Sequence, residues 1–333
     1  MNNKENQPRR VLITGTAGFI GFHLAELLLA EGFQVHGYDG MTDYYDVNLK
    51  RRRYQMLLQH PAFEATEGML EDEATLWSVA ESFKPEVIVH LAAQAGVRYS
   101  LENPRAYIDS NVIGTLNVME AARKLGVEHL LMASTSSVYG ANEEMPFIET
   151  EKADTQLTIY AATKKANETM AHSYAHIHAL PTTMFRFFTV YGPWGRPDMA
   201  PTLFARAICA GQPLKLFNEG KNLRDFTYID DIVDGVVKVL LYPAAERLSP
   251  PFRLFNLGHH RPVETVLFVK MLEQLLGKPA QIELLPPQTG DMFETCADLT
   301  RVTAAVGYTP KVPLEEGLRH FVAWFRDYYQ LPR

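Results

Sequence analysis

Tyr160-Ala161-Ala162-Thr163-Lys164 sets a phenol and an ammonium four residues apart, which a helix places on one face. A free tyrosine ionises near pH 10 and is a poor base at neutrality. A neighbouring ammonium favours the phenolate, and about 4 kcal/mol of differential interaction brings such a group to neutral pH. The pair can then take a proton from an alcohol and give it back. The competing reading, a half-buried tyrosine beside a solvated lysine, is common for any lone pair at this spacing. A second element points to the same chemistry. Ser134-Thr135-Ser136-Ser137 follows the apolar run Leu130-Leu131-Met132-Ala133 directly. One or two of these hydroxyls could bond locally, but four at a strand's carboxyl end suit a substrate alcohol and a developing carbonyl oxygen.

A third element supplies a partner for that alcohol. Gly15-Thr16-Ala17-Gly18-Phe19-Ile20-Gly21 links the apolar run Val11-Leu12-Ile13 to a helical pattern through Ile20, Leu24, Leu27 and Leu28. Gly15 permits the tight turn, Gly18 lets a pyrophosphate approach the backbone, and Gly21 lets the helix pack closely. The amides heading the helix, at Phe19 and Ile20, suit the phosphates. Asp39 closes the next strand, where a carboxylate accepts from ribose hydroxyls and repels the extra phosphate of NADP. NAD is therefore the expected cofactor, and its cationic nicotinamide adds to the support of a phenolate. Lys50-Arg51-Arg52-Arg53 could argue otherwise but reads as a solvated helix face.

These groups need strands ending at about Ile13, Asp39, about Leu91, about Ala133 and about Phe188, with helices between, such as Asn111–Leu125 and Tyr160–His178. Alternation of this kind implies βαβ units. The expected fold is α/β, a doubly wound parallel sheet (Rossmann-type) with a smaller C-terminal α/β substrate-binding domain. Beyond about Gly192 prolines crowd (Pro193, Pro197, Pro201, Pro213) and elements shorten. The expected division is 1–190, with a return segment near 225–258, for NAD, and 191–224 with 259–333 for the substrate.

Composition narrows the class. The 333 residues are 47% hydrophobic and 21% charged, as in ordinary globular proteins. A net charge of −7 argues against nucleic acid as a partner. No run reaches the roughly 18 apolar residues of a membrane span, and Met1 to Arg10 reads as a polar leader, not a signal peptide. Cys209 and Cys296, far apart, predict neither disulfide nor zinc site and suit a cytoplasmic location. His172 and His176 have the spacing of a zinc pair but lack the glutamate of H-E-x-x-H, so no metal is expected. His259-His260 has no discernible role.

Taken in order, the glycine turn, Asp39, the hydroxyl-rich strand end and Y-x-x-x-K resemble the extended short-chain dehydrogenase/reductase superfamily, from Val11 to about Tyr328. Longer stretches resemble, within it, the UDP-glucuronate 4-epimerases: Asp43 to Lys50, His90 to Ser100, Arg186 to Met199 and Arg224 to Asp231. The resemblance implies a UDP-sugar substrate whose C4 hydroxyl gives its proton to Tyr160 while NAD takes the hydride. It implies that Lys164 holds the nicotinamide ribose and that Thr135 bonds the reacting oxygen. Ser136, Ser137, Thr189 and Arg196 match a grip on the sugar carboxylate. Arg98 falls in a matching stretch, and Arg224 and Asp291 match positions that hold UDP. Phe217 suits stacking on uracil and a core role equally. Met69 stands where the superfamily usually has an aspartate for the adenine amine. A homodimer through the helices Asn111–Leu125 and Tyr160–His178 is implied too. A decarboxylase or UDP-hexose epimerase of the same fold, and a non-catalytic NAD-binding sensor, remain as alternatives.

Overall fold

The structure, a computed structural model, describes residues 9–242, 248–287 and 292–331; Asp291 lies outside them. The strands are β1 Arg10–Thr14, β2 Gln34–Asp39, β3 Phe63–Glu67, β4 Val87–His90, β5 His129–Thr135, β6 Thr182–Phe187, β7 Thr189–Tyr191, β8 Pro213–Phe217, β9 Leu223–Tyr228, β10 Phe252–Leu257, β11 Pro262–Glu264 and β12 Gln281–Leu285. Seven of them form one parallel sheet in the order β10-β6-β5-β4-β1-β2-β3. β4 and β2 flank β1, so the order reverses there, and ligands of such sheets bind beyond the carboxyl ends of the strands at this switch. Among the described residues no helix is long and apolar enough to cross a membrane.

The chain divides into two compact units. The first is Met1–Val138, Thr158–Arg186 and Val236–Phe255. Its core packs Leu12, Ile88, Leu130 and Met132 of the sheet with Leu76, Ala80, Val118, Met119 and Ala171 of the helices, the mostly apolar strands expected when a sheet is covered on both faces. The helix before Leu125 departs from the regular α pattern expected over Asn111–Leu125. It winds as a π-helix over Ile108–Gly114 and becomes α-helical only from Thr115. A Cβ on Gly114 would stand 2.4 Å from the Leu70 Cβ, so glycine lets this wide turn close on its neighbour.

The second unit is Tyr139–Leu157, Phe187–Gly235 and Asn256–Arg333. It holds a three-stranded sheet, β11-β9-β7, and the pair β12-β8. Tyr139–Leu157 groups here because Asn256 gathers it. The Tyr139 hydroxyl donates to Asn256 Oδ1 at 2.8 Å, and Asn256 donates through Nδ2 to Phe147 O at 2.9 Å. The Asn256 amide donates to Glu149 Oε1 at 2.8 Å. Asp225 of β9 is a second hub: its carboxylate accepts the amides of His259 (2.7 Å), His260 (3.0 Å) and Ala297 (2.9 Å). The histidine pair thus has a backbone role.

The helix Ile159–His178 is capped by Thr158, whose hydroxyl accepts from the Ala161 amide at 3.2 Å. Its inward stripe is small and polar: Ala161, Lys164, Asn167, Glu168, Ala171 and Ala175. Glu168 ties the helix to two strands. Arg186 of β6 grips it with two bonds, 2.8 and 2.7 Å, and Ser134 of β5 donates to it at 2.7 Å. Both members of the ion pair are almost wholly buried, so losing one strands the other's charge, at about 3–5 kcal/mol. Glu168→Gln is expected to destabilise by roughly that amount, and adding Arg186→Met is expected to recover much of it. Urea unfolding of both variants measures this; a single variant as stable as wild type would contradict it.

Candidate active site

Gly15 has φ +83° and donates to Tyr38 O at 2.7 Å. A Cβ there would stand 2.7 Å from the Ala92 amide nitrogen, and one at Gly21 would stand 2.1 Å from Gly15 O. Only glycine fits either place. Gly18, which donates to Gly15 O at 2.9 Å, caps the helix Phe19–Ala30. That helix has no side-chain cap and no acidic residue in its first turn, so its leading amides, Phe19 and Ile20 among them, keep the positive end of the dipole. The turn fits a dinucleotide pyrophosphate.

Asp39, buried at the end of β2, accepts from the Ala17 amide at 3.0 Å and the Met41 amide at 2.9 Å. Burial pushes its carboxyl up, while the two amides and the charges of Lys50 and Arg53 pull it down. The cluster expected to be a solvated face is therefore split. Arg51 and Arg52 are exposed, but Lys50 and Arg53 are buried. Lys50 donates to Thr42 O and Oγ1 (2.6 and 3.0 Å), and Arg53 to Ala17 O and the Tyr45 hydroxyl (2.7 and 3.0 Å). The physical reason is Asp39: a carboxylate out of water draws compensating charge inward.

Tyr160 is half-buried, with the fully buried Tyr107 ring edge-on at 6.0 Å. Lys164, one turn on, is not solvated: it is 3% exposed. Burial brings its ammonium down to about 8, with Glu168 acting against the change. Among the described residues Lys164 makes no hydrogen bond or ion pair. A buried amine of this kind fits a cofactor hydroxyl, so the residues present suit a nicotinamide dinucleotide.

The four hydroxyls at the end of β5 and just beyond it divide. Ser134 is committed to Glu168, whereas Thr135 and Ser137 bond one another at 3.3 Å and Ser136 is buried beside them. Sequence reasoning missed three polar neighbours. His90, ending β4, lies between Thr14 Oγ1 (2.7 Å) and Thr115 Oγ1 (3.0 Å), and burial, reinforced by the Lys164 charge, brings it down to about 3. It is a neutral imidazole. Asn111 clips Gln94, accepting its amide at 2.8 Å and donating to its carbonyl at 3.0 Å, and also donates to Thr163 Oγ1 at 3.1 Å. Asn167 donates to Asn111 O at 2.7 Å. A signal for Asn167 existed: it shares the helical face of Lys164.

The remaining expected residues are placed as follows. Arg98 is exposed at the head of a short helix, Tyr99–Glu102. Met69 offers its carbonyl to the Tyr38 hydroxyl at 3.0 Å, and a Cβ on Gly40 would stand 2.6 Å from its sulfur. In the second unit Thr189 opens β7, half-buried, and Phe217 ends β8. Arg196 forms a two-bond pair with Asp198 (3.1 and 2.6 Å). Arg224 donates to Leu223 O (3.0 Å) and Phe293 O (3.1 Å). His172 is exposed, edge-on to Phe252 at 5.2 Å.

Comparison with known proteins agrees with this geometry. The chain is 52% identical over 334 residues to a probable UDP-glucuronate 4-epimerase of Rhizobium meliloti, covering 96% of this chain and 98% of that protein. It is similar in fold to the UDP-glucuronic acid 4-epimerase of Bacillus cereus in complex with UDP-glucuronic acid and NAD, with TM-score 0.90, 30% identity, and coverage of 96% and 100%. The UDP-glucose 4-epimerase of Thermotoga maritima with UDP-glucose follows at TM-score 0.85 and 29% identity, with coverage of 96% and 99%. The model of the NAD dependent epimerase/dehydratase family matches residues 11–258. With a glycine turn that admits only glycine, a buried Lys164 one turn from Tyr160, and these matches, the chain belongs to the NAD dependent epimerase/dehydratase family.

Proposed function

We propose that the protein interconverts UDP-glucuronate and UDP-galacturonate by transient oxidation at C4 of the sugar. The observation that carries this reading is the buried Lys164 amine one helical turn from Tyr160, in a chain half identical along nearly its whole length to a probable UDP-glucuronate 4-epimerase. NAD, when bound, supplies a reversible acceptor for the hydrogen of C4. Gly15, Gly18, Gly21 and the amides at Phe19 and Ile20 hold its pyrophosphate, Asp39 its adenosine ribose and Lys164 its nicotinamide ribose. Tyr160 takes the proton of the 4-hydroxyl and returns it after the keto sugar has turned over. Thr135 donates to the oxygen as it becomes a carbonyl. Ser134 has a different task, bracing Glu168.

With a ketone at C4 and a carboxylate on C5, the intermediate is a β-keto acid, prone to lose CO2. Ser136, Ser137, Thr189 and Arg196 grip the carboxylate so that its C–C bond stays out of line with the carbonyl π-system. Arg98 and Arg224 bind the UDP-sugar, with Asp291 carried by resemblance alone. In domain terms the first unit, with its return segment Val236–Phe255, binds NAD, and the second, which also takes in Tyr139–Leu157, binds the UDP-sugar. Two free cysteines suit a cytoplasmic site of action.

Purified protein given UDP-glucuronate is expected to make UDP-galacturonate, and Tyr160→Phe is expected to lose about 10²-fold or more of that turnover while still binding NAD. Release of CO2 as the main outcome would favour a decarboxylase, turnover of UDP-glucose a hexose epimerase, and an unaffected Tyr160→Phe a binding protein.

A homodimer through the helices Asn111–Leu125 and Tyr160–His178 rests on the family resemblance, and Ile113, Leu116 and Ile177 on those helices are exposed. Light scattering is expected to give twice the chain mass, and Leu116→Glu to halve it; a wild-type monomer rejects the idea.

Lys164 gives a pH dependence. Burial brings its ammonium from 10.5 to about 8. Between those values the folded protein has released a proton that the unfolded chain still binds, so stability rises with pH across the window. Relative to Lys164→Met, cofactor-free wild type is expected to gain up to about 3 kcal/mol from pH ~8 to ~10.5, and nothing below it. Urea unfolding across that range measures the gain, and a flat difference would mean that the amine keeps its ordinary pKa in the folded protein.

A further inference from the structure

Arg196 follows a turn that defies its own backbone preference. The Gly195 amide donates to Gly192 O at 3.2 Å, closing four residues with Pro193 second and Trp194 third. Trp194 has φ +59°. Proline second and positive φ third is the type II pattern, whose third place is ordinarily glycine or asparagine. A tryptophan there carries about 1–2 kcal/mol of backbone strain.

What offsets the strain is the ring. Trp194 meets Trp324 at 5.6 Å and 48°, and Tyr328 at 5.5 Å and 77°. Both belong to the helix Leu314–Tyr328, and they pack on each other at 5.4 Å. Tyr329, against Tyr328 at 4.9 Å, accepts from Arg206 at 2.8 Å, which joins the cluster to the helix Ala200–Ala210. On the other side of Arg196, Met199 N donates to Arg196 O at 3.3 Å and Asp198 fixes the guanidinium plane. Arg196 is bracketed by two anchored points, one of them aromatic.

We propose that Trp194, Trp324 and Tyr328 form a positioning clamp that holds Arg196 on the substrate carboxylate and so sets how rarely the keto intermediate loses CO2. The proposal rests on the epimerase reading above. When the grip loosens, the C5–C6 bond rotates into line with the C4 carbonyl. Its electron pair becomes the C4–C5 enolate, CO2 leaves, and C5 takes a proton from water. C4 then takes back the hydrogen removed in the first step, giving a UDP-pentose, so the side reaction is redox-neutral.

Two variants test the clamp. Trp194→Gly removes the ring while giving the turn the residue its φ favours; Trp324→Leu removes the opposing ring and keeps an apolar side chain. Each is incubated with UDP-glucuronate labelled at the carboxyl carbon, and CO2 and UDP-galacturonate are measured together. The ratio of CO2 to epimer is expected to rise about tenfold or more in both, the change that about 1.4 kcal/mol of lost discrimination produces. A ratio is unmoved by mere loss of folded protein. An unchanged ratio in folded, active Trp194→Gly overturns the clamp alone. Failure of Trp194→Gly to fold overturns it too, since the ring would then serve only the fold. Wild type that makes no UDP-galacturonate overturns the epimerase reading itself.

Discussion

A lysine ammonium taken out of water demands negative charge or hydrogen bonds, and Lys164 is given little of either. Glu168, one turn along the helix, pulls its pKa up, yet both Glu168 oxygens are held by Arg186 and one accepts from Ser134. Lys165 stands 3.7 Å away as well. Three cations thus share one carboxylate. The same ion pair sets the helix against β5 and β6, so the brace that fixes Tyr160 and Thr135 also leaves Lys164 short of compensation. In the proposed function the shortfall would be met by ribose hydroxyls accepting from the amine and by an oxyanion forming beside it.

The polar groups around this centre are arranged to add no competing charge. His90, buried between two threonine hydroxyls, stays neutral, brought down to about 3, and the asparagines Asn111 and Asn167 are uncharged. They link the π-wound segment to the helix Ile159–His178 and to Gln94 through hydrogen bonds. This buried network fixes geometry without altering the charge balance, and it leaves Asn167 Oδ1 and Gln94 Nε2 without a hydrogen-bond partner among the described residues. The π-helix belongs to the same design, as wide turns inside helices often mark functional sites.

Much of this was legible wherever a local rule decides. The glycine turn, the Y-x-x-x-K spacing, Asp39 and the order of strands and helices depend on backbone geometry within one element or one crossover. What escaped depends on partners distant in sequence. Lys50 and Arg53 belong to a run of four cations that looks like a solvated face; only the carbonyls of Ala17 and Thr42 and the charge of Asp39 show why two turn inward. Ser134 is indistinguishable from Thr135 until Glu168 is brought beside it. The helix Ile159–His178 buries a polar stripe, so apolar periodicity could not reveal its inner face. Tyr139–Leu157 joins the second unit through Asn256, more than 100 residues away, which no neighbouring residue announces.

The chemistry also explains why rigidity belongs at Arg196. An enzyme that only moves a hydrogen can tolerate a loosely held carboxylate, because each orientation reacts alike. An enzyme that makes a β-keto acid cannot: a small fraction of time in the aligned rotamer loses carbon irreversibly, whereas epimerisation is reversible and waits. Selection between the outcomes is then set by the rarest sampled geometry rather than by the mean one. A flexible loop samples many geometries, and a charge-assisted bond made from it moves with it. A turn held in an unfavoured conformation by tilted and edge-on rings samples few, since leaving it breaks those aromatic contacts. Strain kept at a site in this way narrows the accessible range, and in this protein the strained Trp194 lies two residues before Arg196, the guanidinium proposed to hold the substrate carboxylate.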